Sequence, residues 1–371
     1  MRFVRNPFAT TLLLLHIYIG VRLLPPLGLA AAIAGVALLA ACFWLMPKGY
    51  HVRAERSPGM VLTRWIAVGF FSWLLVLTFA RDVALLVAAA LVSAATLAAW
   101  VSASAAAVAI LTPLITAVGF VMARRIARVV DVEVRVVGLP APLEGFTIAQ
   151  LSDIHVGPTI KRRFVEGVVE RVNRLDADMV AITGDLVDGS VRELSHHTQP
   201  LAGLRSRHGT YFVTGNHEYY SGAQAWIGEL RRLGARVLLN EHVVLHHGGA
   251  MVAVAGVTDY SAGYFDPSHA SDPRRALAGA PAGALKVLLA HQPRSARHAA
   301  AAGYDLQLSG HTHGGQFWPW NHFVRLQQPF TAGLKRLGSM WIYISRGTGY
   351  WGPPMRFGIP SEIARIRLVR A

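Results

Sequence analysis

Residues 83–123 form a run of 41 positions without one charged side chain. A soluble domain has no use for such a stretch. About 20 apolar residues in a helix cross a hydrocarbon core of about 30 Å, so this run holds two spans or one tilted span with an interfacial segment. A small-residue turn near Ser102-Ala103-Ser104 would separate two spans. Upstream lie three more apolar segments, at 7–24 (ending at Pro25-Pro26), 27–46 and 65–80. The basic start, Arg2 and Arg5, would suit a cleaved signal peptide. The apolar segments that follow favour a multi-pass anchor instead. Residues 1–123 therefore read as an all-α transmembrane bundle of four or five helices, with 124–145 a linker and first strand region, and 146–371 a folded domain outside the bilayer. Arg22 is expected to snorkel to the headgroups, and His16 to pack within its span.

Charge bears on sidedness. The net charge is +15, and residues 1–123 carry 8 Lys/Arg against 2 Asp/Glu. Lys48, Arg53, Arg56 and Arg64 lie between the second and third spans, which places that loop and the N-terminus in the cytoplasm. With four spans the C-terminal domain is cytoplasmic too, and Arg124, Arg125 and Arg128 agree. With five it lies outside, and they disagree. A multi-pass protein of the cell (inner) membrane with a cytoplasmic domain is the favoured arrangement. The basic excess suits anionic headgroups or anionic substrates. No groove-reading motif accompanies it, so no nucleic-acid partner is expected. The single cysteine, Cys42, excludes an intrachain disulfide and a thiolate metal cluster.

After Val129 apolar β-type runs alternate with amphipathic segments. Strands are expected at 147–151, 179–183, 210–214, 286–290, 305–308, 342–345 and 363–368. Residues 237–254 read as a meander with a hairpin turn at Gly248-Gly249. Helices are expected at 162–175 and 225–233. Strands alternating with helices imply an α/β fold with helices outside. In such sheets a ligand sits beyond the carboxyl ends of the strands.

Five polar clusters fall at those ends: Asp153-Ile154-His155, Gly184-Asp185-Leu186-Val187-Asp188, Gly215-Asn216-His217-Glu218, His291 and Gly310-His311-Thr312-His313. Each alone is a common pattern, but five in one order are specific. Carboxylate, amide and imidazole ligands gathered from several strand ends can hold two divalent metals. Mixed oxygen and nitrogen ligands suit manganese, iron or zinc. Two such ions hold a hydroxide in line with phosphorus and stabilise the charge developing on the phosphoryl oxygens.

From Phe146 to Leu368 the chain resembles the calcineurin-like metallophosphoesterase superfamily. The segment 310–316 and the ending 345–358 are similar to its membrane-associated bacterial branch. The resemblance implies a four-layer α/β/β/α sandwich with two packed sheets. It implies one metal on Asp153, His155, Asp185 and His313, and a second on Asp185, Asn216, His291 and His311, with Asp185 bridging. It also implies that His217 faces the scissile phosphate and helps the leaving group, as a general acid. Asp188 and Glu218 are expected to orient ligands.

Weaker features carry less. Lys161-Arg162-Arg163 opens a helix and reads as a solvated face, with phosphate contact as its alternative. His196-His197 and His246-His247 read as surface pairs. Phe317-Trp318-Pro319-Trp320, Tyr350-Trp351 and Met355 lie in two late loops, where aromatic rings suit a membrane interface. They are read either as an apolar entrance for a lipid-linked substrate or as packing. The expected function is membrane-anchored hydrolysis of a phosphoester or pyrophosphate bond. Some members of the resembled family cleave the pyrophosphate of a nucleotide-linked acylated sugar. The rivals are a phosphodiesterase for a soluble or cyclic nucleotide and a catalytically silent metal-binding scaffold. A transporter is disfavoured because the expected spans hold almost no ionisable residue.

Overall fold

The computed structural model describes residues 7–49 and 57–371. Arg2 and Arg5, read above as a basic start, and Arg53 and Arg56, used above for sidedness, lie outside them. The chain divides into two compact units. One comprises the residues up to Met122 with the short segment Gly352–Met355, and the other comprises Ala123–Trp351 and Arg356–Ala371.

The first unit is helical: α1 (Pro7–Leu23), α2 (Leu29–Gly49), α3 (Pro58–Ala88) and α4 (Ala94–Arg124). Each is long and apolar enough to cross a membrane. The chain reverses between α3 and α4, at residues 89–93. There Ser93 accepts a bond from the Thr96 amide and caps the next helix. Ser102-Ala103-Ser104, where a turn was expected, lies inside α4, since no glycine or proline interrupts the helix at that point. Helix packing buries Leu12, Ile19, Leu39, Phe71, Leu74 and Ala105. His16 stacks on Phe71 at 4.1 Å and contacts the Leu12 carbonyl at 2.7 Å through Nδ1. The expected scarcity of ionisable groups does not hold, because α3 continues past residue 80 and carries Arg81 and Asp82 into the bundle. Arg81 is buried and donates to Ser104 Oγ (2.9 Å), the Val101 carbonyl (2.9 Å) and Asp82 (3.0 Å). Arg22 pairs with Asp82 at 2.8 Å, and the Tyr18 hydroxyl donates to the same carboxylate. Arg22 thus has a protein partner as well as its expected headgroup exposure.

In the second unit, strands form two six-stranded sheets. The first holds β1 (Arg128–Val136), β2 (Thr147–Leu151), β3 (Met179–Ile182), β4 (Thr210–Phe212), β5 (Arg236–Val237) and β12 (Glu362–Arg370), in the order β1-β12-β2-β3-β4-β5. The second holds β6 (Glu241–His247), β7 (Ala250–Gly256), β8 (Leu285–Leu289), β9 (Leu306–Ser309), β10 (Gly333–Leu337) and β11 (Met340–Ile344), in the order β10-β11-β9-β8-β7-β6. Both sheets are mixed: β2, β3, β4 and β5 run parallel in one, and β7, β8, β9 and β11 in the other. The expected meander splits. β5 closes the first sheet, and the β6–β7 hairpin, turned at Gly248-Gly249, begins the second.

Side-chain alternation explains the layers. Met179 and Ala181 of β3 face the core between the sheets with Ile148, Val252, Val254, Val287 and Leu308. Val180 and Ile182 face the opposite way, toward Val165, Val168 and Val172 of α5 (Arg162–Asn173) and Trp226, Ile227 and Leu230 of α8 (Ala223–Arg232). Leu288 of β8 packs outward with Ala296 and Ala299 of α9 (Ala296–Ala302). The result is helix, sheet, sheet, helix, as expected. His196 and His197 sit on the helix α6 (Val191–Thr198) with rings 3.6 Å apart, not on a strand.

Candidate metal centre

The parallel strands of both sheets end together, and their exit loops carry the predicted ligands. Asp153 and His155 follow β2, Asp185 follows β3, and Asn216 opens the short helix α7 (Asn216–Ser221) after β4. His291 follows β8, and His311 and His313 follow β9. Of these seven residues, five have a positive φ: Asp153 (54°), His155 (55°), Asp185 (51°), His311 (72°) and His313 (51°). Side chains avoid that region, and such strain gathers where side chains are aimed for function. Two glycines make the crowding possible. A Cβ on Gly215 would strike Asp185, and one on Gly310 would strike Ser152 and Asp153.

Three groups have ligand atoms within 4.8 Å of one another: Asp153, His155 and His313; His155, Asp185 and His217; and Asp185, His291 and His311. Asp185 Oδ2 is central, 3.1 Å from His291 Nε2 and 3.9 Å from both His155 Nε2 and His217 Nε2. Asp153 Oδ1 lies 3.6 Å from His313 Nε2. The Asn216 Oδ1 is buried without a hydrogen-bond partner. His217 thus sits among the ligand groups.

The surroundings fix which ring nitrogens face inward. His291 Nδ1 donates to the Thr183 carbonyl at 2.8 Å, which turns Nε2 toward Asp185 Oδ2. Asp188 Oδ1 accepts from Nδ1 of both His155 (3.0 Å) and His217 (2.6 Å), which turns Nε2 of each toward Asp185. Glu218 is fully buried, and its carboxylate accepts three backbone N–H groups, from Gly215 (2.6 Å), Asp185 (3.0 Å) and Leu186 (2.8 Å). It ties the β3 and β4 loops together. Both expected orienting roles therefore have a physical basis. Arg356, at the end of the similar segment, is a third support. It is buried and donates to the carbonyls of His313, Arg346 and Gly349. Only its place in that segment signalled it in the sequence.

Titration follows from burial and close charges. Burial lowers the pKa of His311 to about 3, helped by His291, and holds His313 well below its ordinary value, so both rings are neutral. Burial opposes the charge on Asp185, but His291 and His217 beside it hold its carboxyl well below the usual range. Burial also pulls His217 down, yet Asp185 and Asp188 outweigh it and raise its pKa to about 9.

Of the aromatic late loops, Phe317, Tyr350 and Met355 are buried packing, while Trp318, Trp320 and Trp351 reach the surface.

The profile of calcineurin-like phosphoesterases matches residues 146–315. An uncharacterized metallophosphoesterase of Aquifex aeolicus (strain VF5) is 35% identical over 223 residues, covering 60% of this chain and 84% of that protein. The chain belongs to the calcineurin-like phosphoesterase family. A transmembrane protein with metallophosphoesterase domain from Danio rerio is 38% identical over 270 residues, covering 71% of this chain and 62% of that protein. An uncharacterized metallophosphoesterase of Helicobacter pylori (strain J99 / ATCC 700824) is 43% identical over 224 residues, covering 60% of this chain and 59% of that protein. The chain spans about three fifths of the length of these two relatives. The family domain, its metal-ligand clusters and four apolar helices make this a membrane-associated member of the metallophosphoesterases.

Proposed function

We propose that the protein hydrolyses a phosphoester or pyrophosphate bond with two divalent cations held by Asp153, His155, Asp185 and His313 on one side and Asp185, Asn216, His291 and His311 on the other. The observation that carries this is the convergence of buried Asp and His ligand atoms within 4.8 Å of one another, together with an amide oxygen that no group in the structure satisfies. His155 Nε2 and His313 Nε2 approach within 3.1 Å, His311 Nδ1 and His291 Nε2 within 3.2 Å, and Asn216 Oδ1 is buried without a partner. A buried amide oxygen without a partner is unfavourable by itself and becomes favourable around a cation. The donor set has no thiolate and fits manganese, iron or zinc. When bound, two such ions would supply Lewis acidity at the phosphoryl group and a more acidic attacking water.

The chain supplies the rest. His217 Nε2 holds the proton for the leaving oxygen. Asp188 fixes that ring through Nδ1 and stabilises its protonated form. Glu218 and Arg356 hold the loops so that the ligands need not reorganise during turnover. The substrate reading kept from the sequence is a lipid-linked ester, supported by the partly exposed Trp318 and Trp320 just after the 310–316 loop. Four spans would put the domain on the side of the N-terminus, and Arg124, Arg125 and Arg128 favour the cytoplasm.

The test is hydrolysis of an aryl phosphodiester and an aryl monoester by detergent-purified protein, metal-free and with manganese, zinc or iron. Metal-dependent turnover that Asp185→Asn abolishes is expected. Folded, metal-loaded protein that turns over neither ester nor a lipid-linked pyrophosphate would move the balance to a silent scaffold.

A further inference from the structure

His217 has an aromatic surround besides the ligand His155. Tyr220, one turn on in α7, meets it edge to face at 5.2 Å between ring centres, and Trp351 meets it at 5.6 Å. Phe265 continues the surface, 5.6 Å from Tyr220 and 5.7 Å from Tyr219. These rings are not sealed into a core: Tyr220 is 46% exposed, Trp351 44% and Phe265 51%. They are nevertheless held in place. Gln316, in the ligand loop and nearly buried, accepts the Trp351 backbone N–H at 2.9 Å. Its amide nitrogen donates to the Trp351 carbonyl, also at 2.9 Å. The Tyr219 hydroxyl contacts His269 Nδ1 at 2.8 Å, anchoring the ring behind Phe265.

We infer that Tyr220, Trp351 and Phe265 form a leaving-group wall that selects esters whose departing alcohol carries an apolar body. The inference rests on the reaction proposed above, in which His217 protonates the leaving oxygen. The group attached to that oxygen must then lie on the His217 side, against these three rings. The wall is apolar, and its aromatic faces cover chain or ring with few rotamers to freeze. A small polar alcohol gains nothing from it. The shared chemistry is an apolar alcohol, whether the acylated glycerol of a lipid or a flat aromatic group such as a nucleoside base.

The test uses full-length protein in detergent below the micelle-forming range of the substrates. Three phosphodiesters share a methyl group on the other arm and differ in the leaving alcohol: ethanol, 2-phenylethanol and octanol, which are similar in basicity. Burying part of the longer chain predicts a kcat/KM at least about tenfold higher for octyl than for ethyl, carried mainly in KM. A larger preference for octyl points to a lipid source, and one for phenylethyl to an aromatic source. Either supports the wall. In Tyr220→Ser/Phe265→Ser the preference should fall to within about twofold, and Tyr220→Phe should keep it. Binding of octyl and ethyl methylphosphonate, measured by calorimetry, gives a readout independent of turnover. Octyl should bind at least about tenfold more tightly, and the double variant should lose the difference. An absence of turnover together with that binding preference would sink the proposed reaction and leave the wall standing. Equal binding of the two phosphonates by wild type, or a preference unchanged in a folded double variant, would overturn the wall.

Discussion

Replacing Asp188 separates what its charge does from what its shape does. The Nδ1–H groups of His155 and His217 both end on one oxygen, Oδ1. Asparagine presents a carbonyl oxygen at that position, so Asp188→Asn can keep both bonds while losing the negative charge. A hydrogen bond to a charged partner contributes about 1.5–3 kcal/mol, against about 0.5–1.5 kcal/mol for a neutral one. Two bonds weakened in this way cost about 2–3 kcal/mol, or about 30- to 150-fold in kcat/KM. Asp188→Ala removes the acceptor as well. Both rings are then free to turn and to change tautomer, and the loss should reach at least about a thousandfold, the scale seen when a catalytic histidine loses its orienting carboxylate. The assay is kcat/KM on an aryl phosphodiester at saturating manganese, with a manganese titration for each variant. An Asn variant within threefold of wild type would refute the charge argument. Asn and Ala variants equally damaged would refute the claim that the bonds converge on one oxygen.

Three further outcomes follow from the same geometry. Glu218→Gln turns an NH2 toward at least one of three backbone donors, so it should destabilise the second unit by about 1–3 kcal/mol and weaken metal binding about tenfold or more; an unchanged melting temperature and metal titration would count against its tying role. Gly310→Ala forces a methyl onto Ser152 and Asp153, at about 1–3 kcal/mol of overpacking, and should lower metal occupancy measured by mass spectrometry; full occupancy would show that the loop yields easily. Arg81→Leu removes four side-chain bonds inside the helical unit, worth about 0.6 kcal/mol each in a membrane setting, so the detergent melting midpoint should fall by about 2 kcal/mol equivalent; a midpoint that holds or rises would mean the cluster serves something other than stability.

The candidate site was legible because its residues stand where local rules converge. A short apolar strand followed by a polar ligand recurs after β2, β3, β4 and β9, with a glycine before the ligand after β3, β4 and β9, and each step is visible one segment at a time. What was missed, or expected only as a loosely bounded first strand region, depends on pairings distant in sequence. β1 alternates Val with Arg, Asp and Glu, as an edge strand does, and its parallel partner β12 lies more than two hundred residues away. The strand β10 is short and mostly exposed, so its burial pattern carries little signal. The extension of α3 past residue 80 was hidden by Arg81 and Asp82. Both look like a span's end until Ser104, Arg22 and Tyr18 are seen to satisfy them. The loop-tying roles of Glu218 and Arg356 arise from backbone groups brought together by folding, and no spacing rule encodes those.

The most direct test of the two-cation centre is metal stoichiometry in the purified full-length protein, measured by elemental analysis after manganese loading and removal of free metal. Wild type should retain two ions per chain, and Asp185→Asn should lose both, because Asp185 is shared. Retention of two ions by Asp185→Asn, or none by folded wild type at millimolar manganese, would contradict the account.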